Sequence, residues 1–179
     1  MSPILGIWAS GQQLASSTAF DSIATVNASS QSSITFSSIP STYKHLQIRA
    51  FINNSGGNIS TGTTFNGDTG ANYARHILYG DGASAGAAAG SSTTSMTFHL
   101  YSGNTASIFS ATVIDILDYA NTNKYKTLRG LGGYDNNGSG NIYFGSGLWQ
   151  NTNAITSITI ATAGSTWSSG STFALYGVK

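Results

Sequence analysis

The chain has 179 residues with seven Lys and Arg, six Asp, no Glu, three His and no Cys, and charged residues make up 7% of it, where about a quarter is usual. Without cysteine there can be no disulfide, thiolate metal site or cysteine nucleophile. A net charge of +1 with no basic cluster argues against nucleic acid or an anionic membrane as partner, and so little charge argues against a long exposed helix. The length suits one domain that buries roughly 70% of its unfolded surface. No apolar run approaches the roughly 20 residues of a spanning helix, and no stretch reads as a secretory signal. Solubility has to come from Ser, Thr, Asn, Gln and Gly, which suit the outer faces and turns of a β protein.

Residues 1–17 carry Ile4, Leu5, Ile7 and Trp8 without strand alternation or a helical stripe. They read as an extended N-terminal arm that docks across its own domain or onto a neighbouring subunit. From Phe20 the chain becomes periodic: Phe20, Ser22, Ala24 and Val26 share a face, Ile34 and Phe36 follow a polar turn, and the two segments are predicted to pair. Lys44–Ile52 is the clearest alternating strand, with Leu46, Ile48, Ala50 and Ile52 inward, Gln47 and Arg49 outward, and Phe51 breaking the polar face. Asn53–Thr61 reads as a loop and Asn66-Gly67-Asp68 as a turn before the strand Tyr73–Tyr79. Asp81-Gly82 marks the next turn. Ala83–Ser95 is low in complexity and offers little to pack, so a mobile loop or surface insertion is expected there.

Thr94–Tyr101 is predicted to form a hairpin through Ser102-Gly103-Asn104 with the strand that follows. In Ser110–Leu128, Val113, Leu117 and Tyr119 fall on one side of an extended chain and Ile114 and Ile116 on the other. With both faces apolar it reads as a central strand inside a packed sandwich, followed by a turn at Ala120–Asn123. Lys124–Leu131, Ile142–Trp149, Ile155–Thr162 and Thr172–Val178 complete about ten strands, separated by Gly- and Asn-rich turns. Short strands at regular spacing, without helical segments between them, predict an antiparallel two-sheet β-sandwich spanning residues 18–179.

No motif carries a convincing chemistry. Gly82-Ala83-Ser84-Ala85-Gly86 matches the G-x-S-x-G elbow but lacks the buried strand before it and the helix after it. Asp135, Asn137 and Ser139 have the spacing that opens a calcium loop. The closing Glu has no counterpart at Ser146, and Asn137-Gly138 is explained as a hairpin turn. Asp115 and Asp118, three apart, point to opposite faces of a strand and do not form a carboxylate pair, so a structural ion pair of Asp115 with Arg49, Arg75 or Arg129 is expected. His45, His76 and His99 show no ligand spacing. Catalytic residues, metal ligands and cofactor sites are therefore not expected. The surplus lies in nine Tyr and three Trp. Tyr73, Tyr79, His99 and Tyr101 are candidates for an oligomer interface, and Tyr134, Trp149 and Trp167 for platforms that stack on glycan rings.

Several stretches together carry a family likeness: SPILGIWAS, YKHLQIRAFI, FNGDTGANYARHILYG, IDILDYANTNKYKTLRG, LWQNTNAITSITI and GSTFALYGVK. They resemble the small structural proteins of tailed bacteriophages, especially those infecting cyanobacteria, over nearly the whole chain. The resemblance implies a jelly-roll sandwich, made in the host cytoplasm, that assembles as a homotrimer on the virion exterior. There it would decorate the capsid as a cement protein bound to the major capsid protein, or belong to the tail and its fibres and bind host surface glycans. It carries no catalytic residues across. With no room for a shaft segment, capsid decoration is the preferred expectation.

Overall fold

The computed structural model describes residues 19–56, 61–97 and 105–179, which form eleven strands and no helix. They are β1 (Phe20–Ala28), β2 (Ser33–Phe36), β3 (His45–Ile52), β4 (Thr61–Phe65), β5 (Tyr73–Gly80), β6 (Ala85–Thr93), β7 (Ser110–Leu117), β8 (Lys126–Asp135), β9 (Gly140–Trp149), β10 (Ile158–Thr162) and β11 (Ser171–Val178). An eight-stranded sheet runs β1-β11-β3-β7-β8-β9-β5-β6, and a three-stranded sheet runs β2-β10-β4. The arm residues Ile4, Leu5, Ile7 and Trp8, and likewise His99 and Tyr101, lie outside the described residues. Of the predicted strand Thr94–Tyr101 only the part up to Thr97 is described, and its Met96 makes an isolated antiparallel bridge with Thr63.

The pairings are those of a ribbon of antiparallel strands rolled up from its two ends. β1 pairs β11, β2 pairs β10, β3 pairs β7, and Thr63 of β4 exchanges backbone hydrogen bonds with Met96. This is the jelly-roll plan. Two hairpins are inserted, β5–β6 after β4 and β8–β9 after β7, and both extend the same sheet beside β7. One sheet thereby grows to eight strands while its partner covers only part of it.

The core lies between the sheets. Leu46, Ile48, Ala50 and Ile52 of β3 point inward as their alternation requires, joined by Ile114, Ile116, Leu128, Phe173 and Leu175. Ile34, Phe36, Phe65, Ile158 and Ile160 close the core from the small sheet. Each such side chain contributes about 1.5–3 kcal/mol through removal from water.

Two expectations are corrected, and one strand joins those expected. β1 and β2 do not pair: a bulge between Ser22 and Ala24 turns Phe20 outward, and β2 crosses to the small sheet. β4 occupies the stretch between the expected loop Asn53–Thr61 and the turn at Asn66, which alternation does not mark as a strand, because Thr61 and Thr63 point inward beside Phe65 and supply strand geometry without an apolar alternation. Ala85–Thr93 is the edge strand β6, not a mobile loop. Its stability comes from the ladder with β5, which needs no side chains, and a bare Gly86 lets the Tyr79 ring lie across it.

In β8 and β9 the usual distribution of large and small is reversed. Gly130, Gly132, Gly145 and Gly147 face inward, whereas Leu131, Ile142 and Phe144 face outward. A Cβ on Gly147 would stand 1.9 Å from Met96 Sδ, so the inward glycine makes room for a methionine laid across the strand. Gly147→Ala is expected to cost about 1–3 kcal/mol by overpacking, read as a lower urea midpoint with an unchanged m-value.

Candidate functional site

Among the described residues, the outer face of the eight-stranded sheet is the most unusual surface. Register alignment sorts its side chains into rows that cross the strands. One apolar row runs Val113–Leu131–Phe144–Leu78–Ala87 over β7, β8, β9, β5 and β6. The next runs Phe51–Ala111–Gly133–Ile142–Gly80–Ala85 from β3 to β6. Leu78 and Ile142 are 60% exposed, Phe51 and Phe144 54%, Leu131 52% and Val113 39%. Six strands at about 4.8 Å spacing make the patch roughly 25 Å wide. Contiguous apolar surface on that scale makes this face the candidate site.

On the other side of the first apolar row lies a polar one, Tyr176–Gln47–Asp115–Arg129–Ser146–His76. Asp115 finds its arginine here: Arg129 Nε donates to Asp115 Oδ2 at 3.0 Å and Gln47 Nε2 donates to Oδ1 at 2.8 Å. Arg49 Nε donates to Gln47 Oε1 at 2.8 Å, and its guanidinium lies between the rings of Phe20 and Tyr176, 4.8 and 4.7 Å from their centroids. The carboxylate thus joins a connected chain of donors, although an exposed pair of this kind contributes only about 0.2–1 kcal/mol to folding. The expectation that both faces of Ser110–Leu117 are buried is corrected, since Ser110, Thr112, Ile114 and Ile116 face the core and Val113 lies on the open side. Between Phe51 and Ile142 the small residues Ala111, Gly132 and Gly133 leave an open groove of about 800 Å³, rimmed by Arg49, Tyr134 and Asp135.

The aromatic candidates sort differently from their spacing. Trp149 and Trp167 are 0% exposed and cannot present a ring to a glycan. Trp149 packs on Phe65 and Tyr73 with Nε1 donating to Asp68 Oδ2 at 2.8 Å, and Trp167 meets Phe173 edge-on. Both lie near turns, but Trp149 at the end of β9 and Trp167, in an isolated bridge with Asn54, are turned into the core. Tyr134 alone of the three reaches the surface, where its hydroxyl accepts from Asn141 Nδ2 at 3.2 Å. Tyr73 is likewise buried, its hydroxyl donating to the Asp68 carbonyl and accepting from the Phe65 amide. Tyr79 is 39% exposed on the core side of β5, beyond the reach of the small sheet and stacked on Tyr143. Neither belongs to the open face: Tyr73, being buried, is not available to an interface, whereas Tyr79 keeps an exposed edge, and the exposed apolar side chains of the open face are Phe51, Leu78, Val113, Leu131, Ile142 and Phe144. One signal in the sequence could have found three of them: G-L-G at 130–132 in β8 and I-Y-F-G-S-G at 142–147 in β9 put Leu131, Ile142 and Phe144 on the strand face opposite Gly130, Gly132, Gly145 and Gly147.

The remaining motifs close turns. Ser84 Oγ and the amides of Ala83 and Ser84 all bond Asp81 at the β5–β6 hairpin. Asn137 and Gly138 have φ of 50° and 102°, and Asn136 N donates to Ser139 O, the geometry of a tight hairpin. His45 Nδ1 accepts from the Asp118 amide, and His76 is exposed on the polar row. Among the described residues no three His, Cys, Asp or Glu side chains come together as a metal group.

Three carboxylates are held below their ordinary range, Asp68 chiefly by the Trp149 N–H, Asp118 chiefly by its hydrogen bond from Lys124, and Asp81 chiefly by the Ser84 and Ala83 amides. A carboxylate depressed in the folded state stabilises folding above its unfolded value of 3.8 and loses that contribution as pH falls through the folded one. Tyr73 is pushed up to about 12 by burial, so its contribution is complete below its unfolded value of 10.0 and is lost between there and about 12. The melting temperature is therefore expected to fall below about pH 4 and again above about pH 10. Asp68→Asn should flatten the acid limb in a pH series of thermal melts.

Comparisons with protein-family models, curated proteins and solved structures found no match to this chain.

Proposed function

We propose that this protein is a non-enzymatic structural component of a tailed-bacteriophage virion that works by stable association, decorating the capsid exterior. The observation that carries this reading is the open outer face of the large sheet. Over its middle, β8 and β9 turn Leu131, Ile142 and Phe144 outward and Gly130, Gly132, Gly145 and Gly147 inward, a distribution that serves assembly and not the fold of a lone chain. The family likeness supplies the virion setting, and residues 1–17 are the segment proposed to attach the assembly to a capsid or tail protein.

Light scattering at micromolar concentration tests the association. A mass of two or more chains is expected, and a stable monomer would overturn the reading. Removing residues 1–17 should leave an unchanged fold by circular dichroism while abolishing attachment to particles. A second reading, a tail protein that binds host glycan, keeps one observation in its favour: Tyr134 stands beside a polar cleft between the Asp81-Gly82 and Asn137-Gly138 hairpins. Binding on a glycan array that is lost in Tyr134→Ala would support that reading over the first.

A further inference from the structure

We infer that the outer face of the eight-stranded sheet is covered by the same face of a second copy of this chain, related to the first by a twofold axis running across the strands between the two apolar rows. The inference rests on the reading of the protein as an assembling component and names the partner of that surface.

Self-complementarity carries the argument. A twofold axis lying between the rows sets each strand against its own counterpart, so that a residue of one row meets a residue of the other row. Val113 then faces the partner's Ala111, Leu131 the partner's Gly133 and Leu78 the partner's Gly80, since in β7, β8 and β5 these residues stand two apart on the same face. Large meets small on all three strands, and the valley over Ala111 and Gly133 receives the ridge that Val113 and Leu131 form. On β9, Phe144 and Ile142 meet each other as the apolar anchor.

Charge agrees. Asp115 is neutralised by Arg129 on its own face, and Arg49 is held between two rings and Gln47. The face therefore asks for no oppositely charged partner, and a like surface meets it without repulsion. Size agrees as well. Eight strands at about 4.8 Å, each presenting roughly 18 Å of length, give a face of about 700 Å², close to the roughly 800 Å² that each side of a stable complex contributes.

The double variant Leu131→Asp with Phe144→Asp tests this, because both side chains are exposed and neither supports the core. The wild-type chain is expected at twice 18.5 kDa by light scattering. The variant should keep its circular dichroism spectrum and melting transition while its dissociation constant rises roughly 100-fold or more. The chain has no cysteine, so Ala111→Cys and Val113→Cys proteins can be mixed and treated with a bismaleimide of about 10 Å reach, the distance between packed sheets. Cross-linking between the two variants that exceeds cross-linking within either alone supports the twofold arrangement. A monomeric wild type would overturn the proposed function itself. An oligomer that survives the double substitution, or a trimer without the cross-link, would overturn only the face and symmetry assigned here.

Discussion

Trp149→Ala is expected to lower the unfolding free energy by about 3–5 kcal/mol, the range for deleting a fully buried aromatic side chain. The residue is 0% exposed, contacts Phe65 and Tyr73, and donates its indole N–H to Asp68 at 2.8 Å. Asp68 in turn accepts from Gly70 and Asn72, and its carbonyl accepts from the Tyr73 hydroxyl. The substitution therefore empties a large volume and removes the main group that holds the Asp68 carboxylate ionised. Urea unfolding measures the loss. Trp149→Phe should recover part of the packing but not the hydrogen bond, and so fall between wild type and alanine. A change near zero for alanine would mean that the tryptophan is not packed as described, and would reopen its assignment as a surface platform.

Lys126→Met should be comparably damaging, by about 3–5 kcal/mol, although the two side chains are close in length. Lys126 is 0% exposed. Its ammonium donates to the carbonyls of Asn121, Lys124 and Thr152 at 2.6, 2.9 and 2.9 Å, tying the β7–β8 turn to the segment after β9. Burial, with Lys124 nearby, pushes it below the ordinary lysine range, while three carbonyl acceptors hold its protons at neutral pH. Methionine would fill the space and leave three carbonyls without a donor. Arginine should not rescue, because a planar guanidinium does not match a tripod of acceptors. Thermal and urea unfolding of the methionine and arginine variants measure this, and near-wild-type stability in Lys126→Met would show that water supplies the missing donors.

The twofold pairing and the buried keystones concern opposite sides of one sheet, and the sequence spoke to them unequally. The all-β class followed from composition: few charges and no Glu in a chain rich in Ser, Thr, Asn and Gly leave little else. The inward set of β3 could be read directly from its alternation, because Gln47 and Arg49 mark one face as wet. The turns at Asp81-Gly82 and Asn137-Gly138 were legible for a local reason, since their backbone conformation depends on residues within the turn. The need of Asp115 for an arginine was legible too, although choosing Arg129 among three required the register of β7 against β8.

Other features depend on contacts far apart in the chain. Local periodicity separates two faces of a strand but does not say which one meets the other sheet. In Ser110–Leu117 both faces are apolar, and the position of the small sheet selected Ile114 and Ile116 for the core and left Val113 open. The same position buried Trp149 and Trp167 despite nearby turns, placed Lys126 among carbonyls from two loops, and let Gly147 face inward because Met96 crosses it. The alanine-rich stretch became β6 through backbone pairing alone, which leaves no trace in side-chain pattern. What the amino acids dictate locally is strand, turn and alternation. Which side of the largest sheet is core and which is left open follows from a three-stranded sheet that can cover only one side of eight.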